Sequence, residues 1–195
     1  MSNSSDRHQI RNNDLVLKVS TSIDRNIWNE NRYEGFLEEL TLGRKYQIEA
    51  IQAALRYLLG KRYNALTDLL KENFKQNPNL EKKYGTLAGA KKRLQFTDKL
   101  AASLDLATGT GKSYVLYGIA MVMLAEGVVD QVLVLCPSTT IEAGLLEKFR
   151  ELAGRAELRD LLPSDSKVVT PSIIGADQTI VPGSICIENY HAILE

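Results

Sequence analysis

The run Leu104-Asp105-Leu106-Ala107-Thr108-Gly109-Thr110-Gly111-Lys112-Ser113-Tyr114-Val115 decides the fold class of this chain. A short, mostly apolar run over residues 100–106 precedes its two glycines, and a longer apolar run over residues 113–126 follows them. The first run predicts a buried strand, and the second predicts a helix that ends at Gly127. The stretch as a whole therefore predicts a strand, a tight turn and a helix in succession.

The turn between these two elements has the chemistry of a phosphate-binding loop. Backbone N–H groups can cradle a phosphate only where the chain passes very close to it, which Gly109 and Gly111 allow. Lys112 offers a point charge to the β- and γ-phosphates, and the Ser113 hydroxyl offers a ligand to Mg²⁺. The following helix adds the positive end of its dipole. The general pattern G-x-x-x-x-G-K-[ST] has glycine where this chain has Leu106, which is a departure from it.

The loop therefore predicts ATP and Mg²⁺ as ligands, and its alternative interpretation is a glycine-rich turn without a ligand. Lys112 and Ser113 are the predicted catalytic residues, with Ser113 on the metal. The predicted phosphate-binding residues are Ala107, Thr108, Gly109, Thr110, Gly111, Lys112 and Ser113.

The rest of the chain predicts an α/β domain that follows a mainly helical region. Residues 132–135 and 184–187 predict strands, as do the weaker runs at 15–19 and 167–169. The predicted helices cover residues 32–40, 48–59, 63–74, 80–96 and 140–152. Alternation of strand and helix after residue 100 predicts a parallel sheet flanked by helices. The expected organisation is a disordered segment at 1–13, a mainly helical region at 14–99 and a truncated α/β domain at 100–195.

Composition is that of an ordinary globular chain, with 44% hydrophobic and 25% charged residues. Lys and Arg equal Asp and Glu at 24 each, so the chain as a whole lacks the basic character of a nucleic-acid-binding protein. Locally, residues 81–99 hold six basic residues against two acidic ones, which indicates either a solvated helix face or a nucleic-acid contact. The absence of an apolar leader and of a long apolar run predicts a cytoplasmic protein without a membrane span.

Three segments resemble motifs of superfamily 2 helicases and translocases, and the type III restriction (Res) subunit branch in particular. Residues 106–113 resemble motif I, and residues 132–140 resemble motif Ia. Arg44-Lys45-Tyr46-Gln47 resembles the R-x-Y-Q adenine-recognition motif. Residues 189–193 resemble the segment that precedes motif II. Together the resemblance covers most of residues 44–195 and implies part of a RecA-like P-loop NTPase domain.

The resemblance also implies roles for residues outside the phosphate loop. The resemblance assigns the adenine contacts to Arg44, Tyr46 and Gln47. The Gln47 amide has both a donor and an acceptor for the base. The 65 residues between Gln47 and Lys112 exceed the spacing in DEAD-box helicases, so the helices between them are interpreted as an insertion.

The motif Ia segment is expected to touch the nucleic-acid backbone through Pro137, Ser138 and Thr139. Thr139 with Glu142 three residues later also predicts a capping box, which is an independent reason for a threonine there. Helix capping and DNA contact are therefore both open for Thr139.

The implied function is an ATP-driven translocase or helicase on double-stranded DNA, as the restriction endonuclease subunit of an enzyme with a separate methyltransferase partner. The alternatives are a helicase of DNA repair or RNA metabolism and a nucleotide-binding switch without motor activity. A small-molecule kinase is a further alternative. Motif II, Asp-Glu-x-His, does not occur, and the segment around Glu188 and Asn189 is either a degenerate copy or the stretch before it. The chain, which ends inside a helix-compatible segment, is therefore expected to be a piece of a longer protein that binds nucleotide and hydrolyses it poorly.

Overall fold

The computed structural model describes residues 16–175 and 177–190 of the chain. These residues form two compact units, which we call the helical unit (within residues 1–27 and 56–103) and the α/β unit (within residues 28–55 and 104–195). Residues 28–55 are part of the α/β unit.

Eight α-helices lie within the described residues, where the sequence pattern predicted six, because one predicted helix is divided and the short helix after residue 155 was not predicted. They are α1 (Glu34–Thr41), α2 (Lys45–Leu59), α3 (Leu66–Gln76), α4 (Pro78–Tyr84), α5 (Leu87–Lys91), α6 (Lys112–Ala125), α7 (Thr139–Gly154) and α8 (Ala156–Asp160), with a 3-10 turn at Glu30–Tyr33. The predicted helix over residues 80–96 is divided because Gly85 adopts a positive φ of 70° and ends α4. None of the described helices is long and apolar enough to cross a membrane.

A three-stranded parallel sheet lies at the centre of the α/β unit. Its strands are β1 (Gln131–Cys136), β2 (Ser172–Ile174) and β3 (Ser184–Asn189), in the order β1-β3-β2. Strand β3 lies between β1 and β2 and pairs in parallel with both. Helices α7 and α8 lie between β1 and β2 in the chain. The predicted α/β class, with a parallel sheet flanked by helices, is confirmed and is consistent with part of a RecA-like domain.

The strand predicted over residues 100–106 is wrong. In the structure this stretch forms no ladder, and Leu104 is 43% exposed. The apolar pattern indicated burial, but a strand also needs a neighbouring edge with which to exchange hydrogen bonds. The alanines, serine and aspartate among these residues have low strand propensity, so nothing local compensates for an absent neighbour.

The strand predicted over residues 15–19 is wrong for its described part, residues 16–19. The Asn73 side chain takes the place of a neighbouring strand: its Oδ1 accepts from Lys18 N at 2.7 Å and its Nδ2 donates to Lys18 O at 2.9 Å. Leu17 and Val19 pack against the small core of the helical unit, which consists of Tyr57, Tyr63 and Leu69. The alternating apolar residues therefore reflect packing onto helices.

Two further strand predictions need correction in detail. The run at residues 167–169 is not a strand, since Lys167 N donates to Ala125 O at the end of α6 and β2 begins only at Ser172. Strand β1 forms as predicted, but Leu133 and Leu135 are 54% and 52% exposed, so it is not buried on both faces. Only alternate residues of this strand lie in the core, as in a strand with one open face.

Gly118 of α6 lets the first two helices approach the core of the α/β unit. A Cβ there would lie 2.8 Å from Ile51 Cδ1 and 3.0 Å from Leu40 Cδ2, and both of these side chains are fully buried. We expect Gly118→Val to lower the free energy of unfolding by about 2 kcal/mol, because a well-packed core cannot take extra methyl groups without strain. Urea denaturation followed by circular dichroism measures this.

The matched control is Gly144→Val in α7, another helical glycine, where an added Cβ would meet nothing within 4 Å. Its stability should change by about 0.5 kcal/mol or less. Equal stabilities for the two variants would contradict the packing assigned to Gly118.

Candidate functional site: the phosphate loop and its surroundings

The glycine-rich turn adopts a conformation that depends on its two glycines. Gly109 and Gly111 have φ values of 80° and 76°, in the left-handed region that other residues occupy only at a cost. Thr110 lies between them, and its Oγ1 donates to Ala107 O at 2.6 Å, which closes the turn. The sequence pattern predicted this turn and its glycines correctly.

Helix α6 begins directly after the turn without a capping side chain. Gly111 is the N-cap residue, so no side chain accepts a hydrogen bond from the first turn, and this turn contains no acidic residue. The first backbone N–H groups of α6 therefore remain available to an anion, with the helix dipole in the favourable direction. Lys112, the first residue of the helix, is exposed, and Ser113 is partly buried.

The Thr110 carbonyl oxygen is held by the two residues of the R-x-Y-Q segment that lie nearest to it. Gln47 Nε2 donates to this oxygen at 2.5 Å and Tyr46 Oη donates to it at 3.1 Å. Both residues belong to α2, in the same compact unit as the loop. The structure thus brings together two segments that are separated by more than sixty residues in the chain.

The Gln47 side chain is 1% exposed, and its orientation is determined by this contact. An exchange of its amide N and O atoms would place two acceptors against each other at the Thr110 carbonyl, so Nε2 must face the loop. Among the described residues Gln47 Oε1 has no hydrogen-bond partner, although it is buried. The donor side of the amide therefore binds the loop, and the acceptor side is buried without a partner among the described residues.

Arg44 lies differently from its two neighbours in the motif. Its side chain is exposed, and its Nη1 donates to Thr41 O at 3.3 Å, at the end of α1. Its own carbonyl accepts from Gln47 N and Ile48 N, which starts α2. Arg44 therefore links α1 to α2, and none of its described hydrogen bonds reaches the loop.

The geometry of the loop fits a triphosphate with Mg²⁺. A Cβ on Gly111 would lie 2.5 Å from Gln47 Nε2, whereas a Cβ on Gly109 would meet nothing within 4 Å, so the loop rests on α2 at one glycine and is open at the other. The described residues hold no group of three His, Cys, Asp or Glu that could bind a metal by themselves. Mg²⁺ commonly binds through few protein ligands, water and substrate phosphates, so a phosphate-bound Mg²⁺ does not require such a group.

The segment that resembles motif Ia lies where β1 ends and α7 begins, with Pro137 and Thr139 exposed. The predicted capping box at Thr139 is wrong. Ser138 is the N-cap, and its Oγ accepts from Ile141 N at 3.3 Å, while Thr139 is the first helical residue. Either hydroxyl fits the sequence pattern, and only the backbone path at the end of β1 decides which residue has the extended conformation of a cap.

Glu142, the other half of the predicted capping box, has a different partner. Its Oε2 accepts from Asn189 Nδ2 at 2.7 Å, so the end of β3 is tied to the first turn of α7. Glu188 Oε1 in turn accepts from Asn189 N at 3.1 Å. Glu188 and Asn189 are 6% and 9% exposed. His191, which follows in the segment compared with motif II, lies outside the described residues.

Cys136 lies beside these carboxylates at the end of β1. Burial raises the pKa of its thiol, and the Glu142 and Glu188 carboxylates add to the effect, since both disfavour a nearby thiolate. The Sγ atom is 3.3 Å from Glu188 O, which it contacts as a donor. A raised pKa favours the neutral thiol, as expected for a small residue of the core.

Two contacts of this region were missed by the sequence interpretation. The Thr110 carbonyl as a common acceptor for Tyr46 and Gln47 has no sequence signal, because a backbone oxygen is present at every position. The Glu142–Asn189 hydrogen bond joins residues 47 positions apart. Prediction of this hydrogen bond would have required knowing from the sequence that strands β1 and β3 pair.

Comparison with known families agrees with this geometry. The family profile described as "Type III restriction enzyme, res subunit" matches residues 41–192, a range that contains the R-x-Y-Q segment, the phosphate loop and the end of β1. None of the curated proteins and none of the solved structures compared with the chain matches it. The profile covers most of the chain and includes every element of the sheet. The chain therefore belongs to the type III restriction enzyme res subunit family, a family of helicase-like, ATP-binding motors.

Proposed function

We propose that this chain is the ATP-binding part of a DNA translocase motor, the restriction endonuclease subunit of a type III-like enzyme that works with a methyltransferase subunit in the cytoplasm. The observation that carries the proposal is the loop with two left-handed glycines at the uncapped N-terminus of α6, followed by an exposed lysine. Backbone donors, a helix dipole and a point charge there converge on one place, which suits a polyphosphate.

In this proposal each residue of the loop has a separate task. The backbone from Ala107 to Gly111 surrounds the β-phosphate, and Lys112 neutralises charge on the β- and γ-phosphates. The Ser113 hydroxyl holds Mg²⁺, which supplies neutralisation of the oxygens that gain charge during phosphoryl transfer. Thr110 keeps the turn closed through its hydrogen bond to Ala107.

The base and the nucleic acid are assigned to the flanking segments. Arg44, Tyr46 and Gln47 are proposed to recognise adenine, which the position of Tyr46 and Gln47 against the loop supports. The exposed N-terminal turn of α7 after β1 is proposed to hold a phosphate of double-stranded DNA, through Pro137, Ser138 and Thr139.

We further propose that the chain binds ATP but turns it over slowly. The Glu188 carboxylate is buried and accepts a hydrogen bond from Asn189 N, so it is engaged at the end of β3. A water-positioning carboxylate has to face the γ-phosphate, and no acidic residue occurs in the first turn of α6. Steady hydrolysis by the chain alone would contradict this and would assign the hydrolytic role to Glu188.

A comparison of ATP with tripolyphosphate separates base contacts from phosphate contacts. We expect Gln47→Ala to weaken ATP binding about tenfold, since it removes a buried hydrogen bond to the loop and any bond to the base. If the amide acts on the base, tripolyphosphate affinity stays unchanged, and if it acts on the loop, both ligands lose affinity equally. Titration calorimetry with Mg²⁺ measures both affinities.

Tyr46→Phe is the companion variant, because it removes only the hydroxyl that donates to Thr110 O. It should weaken both ligands by the same small factor, about threefold. A chain that binds neither ATP nor tripolyphosphate would refute the nucleotide-binding function itself.

The alternative functions predict different responses of the protein to nucleic acid. A repair or RNA helicase shares the nucleotide site, and it would differ from a restriction motor in the nucleic acid that stimulates its ATP turnover. A switch without motor activity would show no salt-dependent binding to DNA. Anisotropy measurements with DNA at several salt concentrations therefore test this alternative.

A further inference from the structure

The two compact units carry opposite net charges, although the chain as a whole is neutral. The helical unit contains fifteen Lys and Arg against seven Asp and Glu, a net charge of +8. The α/β unit contains nine against seventeen, a net charge of −8. An asymmetry of this size between parts of one chain indicates a polyanionic partner for the basic part.

Much of this positive charge is concentrated in one stretch, which we call the basic segment (residues 82–99). It comprises the end of α4, the whole of α5 and the turns that follow. Its six basic side chains are all exposed, and they are Lys82, Lys83, Lys91, Lys92, Arg93 and Lys99. The acidic residue within the segment is Asp98.

Helix stabilisation accounts for only part of this charge. Lys82 and Lys83 lie in the last turn of α4 and Lys91 ends α5, where a cation interacts favourably with the helix dipole. Lys92 and Arg93, in contrast, follow α5 in a turn, and Lys99 lies beyond any helix. Among the described residues no ion pair is formed by these last three side chains, so their charges are available to a ligand.

An exposed aromatic ring lies between these charges. Phe96 has a φ of 53°, and its side chain is 65% exposed. A left-handed conformation costs a non-glycine residue about 1–2 kcal/mol, and an exposed ring recovers nothing by burial. The turn is nevertheless held in place, since Phe96 O accepts from Lys99 N at 3.1 Å and Thr97 O accepts from Thr67 N at 3.3 Å.

We propose that the basic segment binds a single strand of nucleic acid, with its phosphates on Lys92, Arg93 and Lys99 and an unstacked base on the Phe96 ring. Surfaces that bind single strands without sequence preference combine these two features, a positive track for the backbone and aromatic faces for the bases. The net charge of the helical unit attracts the strand, and the ring prefers a base that is free to stack. This surface belongs to the helical unit, whereas the α7 segment assigned to duplex DNA belongs to the α/β unit.

The test uses the full chain without nucleotide and a fluorescent oligothymidylate of about 20 nucleotides. Replacement of Lys92, Arg93 and Lys99 by Gln should lower the affinity at least about tenfold and reduce the slope of log K against log salt by about 2. The matched control replaces Arg25, Lys61 and Lys75 by Gln, which removes the same charge from exposed positions of the same unit. The control should keep the salt slope and most of the affinity.

Phe96→Ala tests the aromatic contact. It should weaken oligothymidylate binding about tenfold and leave binding of a duplex of the same length nearly unchanged, because paired bases cannot stack on the ring. Equal affinities and equal salt slopes for the triple variant and its control would overturn the proposal. A duplex that binds as tightly as the single strand, with no effect of Phe96→Ala, would also overturn it.

These outcomes are independent of the nucleotide site. Lys112→Ala should bind the oligonucleotide like the wild type, since the assay contains no nucleotide. Failure of ATP binding would therefore refute the proposed function without affecting the proposal for the basic segment. If instead the triple variant bound the oligonucleotide as its control does, the proposal for the basic segment would fail and the proposed function would stand. Far-UV circular dichroism verifies that each variant is folded.

Discussion

Lys112→Ala should weaken the binding of Mg²⁺–ATP about a hundredfold, the first of the two largest effects that we expect. The side chain is exposed at the first position of α6 and forms no ion pair among the described residues, so its charge is free for a phosphate. A hydrogen bond between charged groups contributes about 2–3 kcal/mol, which corresponds to this factor in affinity. Titration calorimetry of the wild type and the variant measures it.

The control for this experiment is Arg150→Ala, which removes an exposed cation of α7 and should leave ATP binding unchanged. The Lys112 variant should also keep the thermal stability of the wild type, because the lysine side chain supports no described contact within the fold. An ATP affinity that is the same in both variants would show that the loop is a structural turn without a ligand.

Gly111→Ala should have the second large effect, a loss of ATP affinity of at least about thirtyfold. Its φ of 76° costs an alanine about 1–2 kcal/mol. In addition, its Cβ would lie 2.5 Å from Gln47 Nε2 and 3.2 Å from Tyr114 Cδ2. Displacement of these atoms costs about 1–3 kcal/mol more, and it moves the loop away from the helix that holds it.

Gly109→Ala is a matched control for this substitution. Its φ is 80°, so the conformational cost is the same, but its Cβ would meet nothing within 4 Å. We therefore expect Gly109→Ala to retain about tenfold more affinity than Gly111→Ala. Equal losses of ATP affinity in the two variants would show that the affinity depends on the backbone conformation of the loop and not on its contact with α2.

A double variant isolates the contact between the two segments. If the Gly111 Cβ and the Gln47 amide compete for one space, Gly111→Ala with Gln47→Ala should lose less affinity than the two single variants together. The expected coupling is about 1 kcal/mol or more, which is typical of residues in direct contact. Additive losses would mean that Gln47 does not determine the position of the loop.

The candidate site was predictable where local chemistry defines it. Gly109, Gly111, Lys112 and Ser113 were predicted as a phosphate loop because the conformations and charges that such a loop needs are properties of individual residue types. The role of Gln47 at the loop was not predictable. The sequence pattern suggested an adenine contact, and the structure adds a hydrogen bond to Thr110 O, which depends on how α2 packs beside the loop.

The fold was predictable to the level of its class and most of its helices. The helical periodicity of α2 and α7 is long enough to identify each helix by itself. Strand predictions were less reliable, since the apolar runs at 100–106 and 16–19 have no neighbouring strand among the described residues. A strand forms only with a partner, and the partner belongs to another part of the chain.

The sequence by itself determined the parallel α/β class, the two-glycine turn before α6 and the neutral overall charge, because each depends on residue types or on short-range periodicity. Only the tertiary structure decided that Ser138 and not Thr139 caps α7, and that the Thr110 carbonyl is held by Tyr46 and Gln47. It also decided how the neutral chain divides into units of net charge +8 and −8. These features depend on which distant segments meet in the folded chain, and the free energy of those contacts is not contained in any short stretch of sequence.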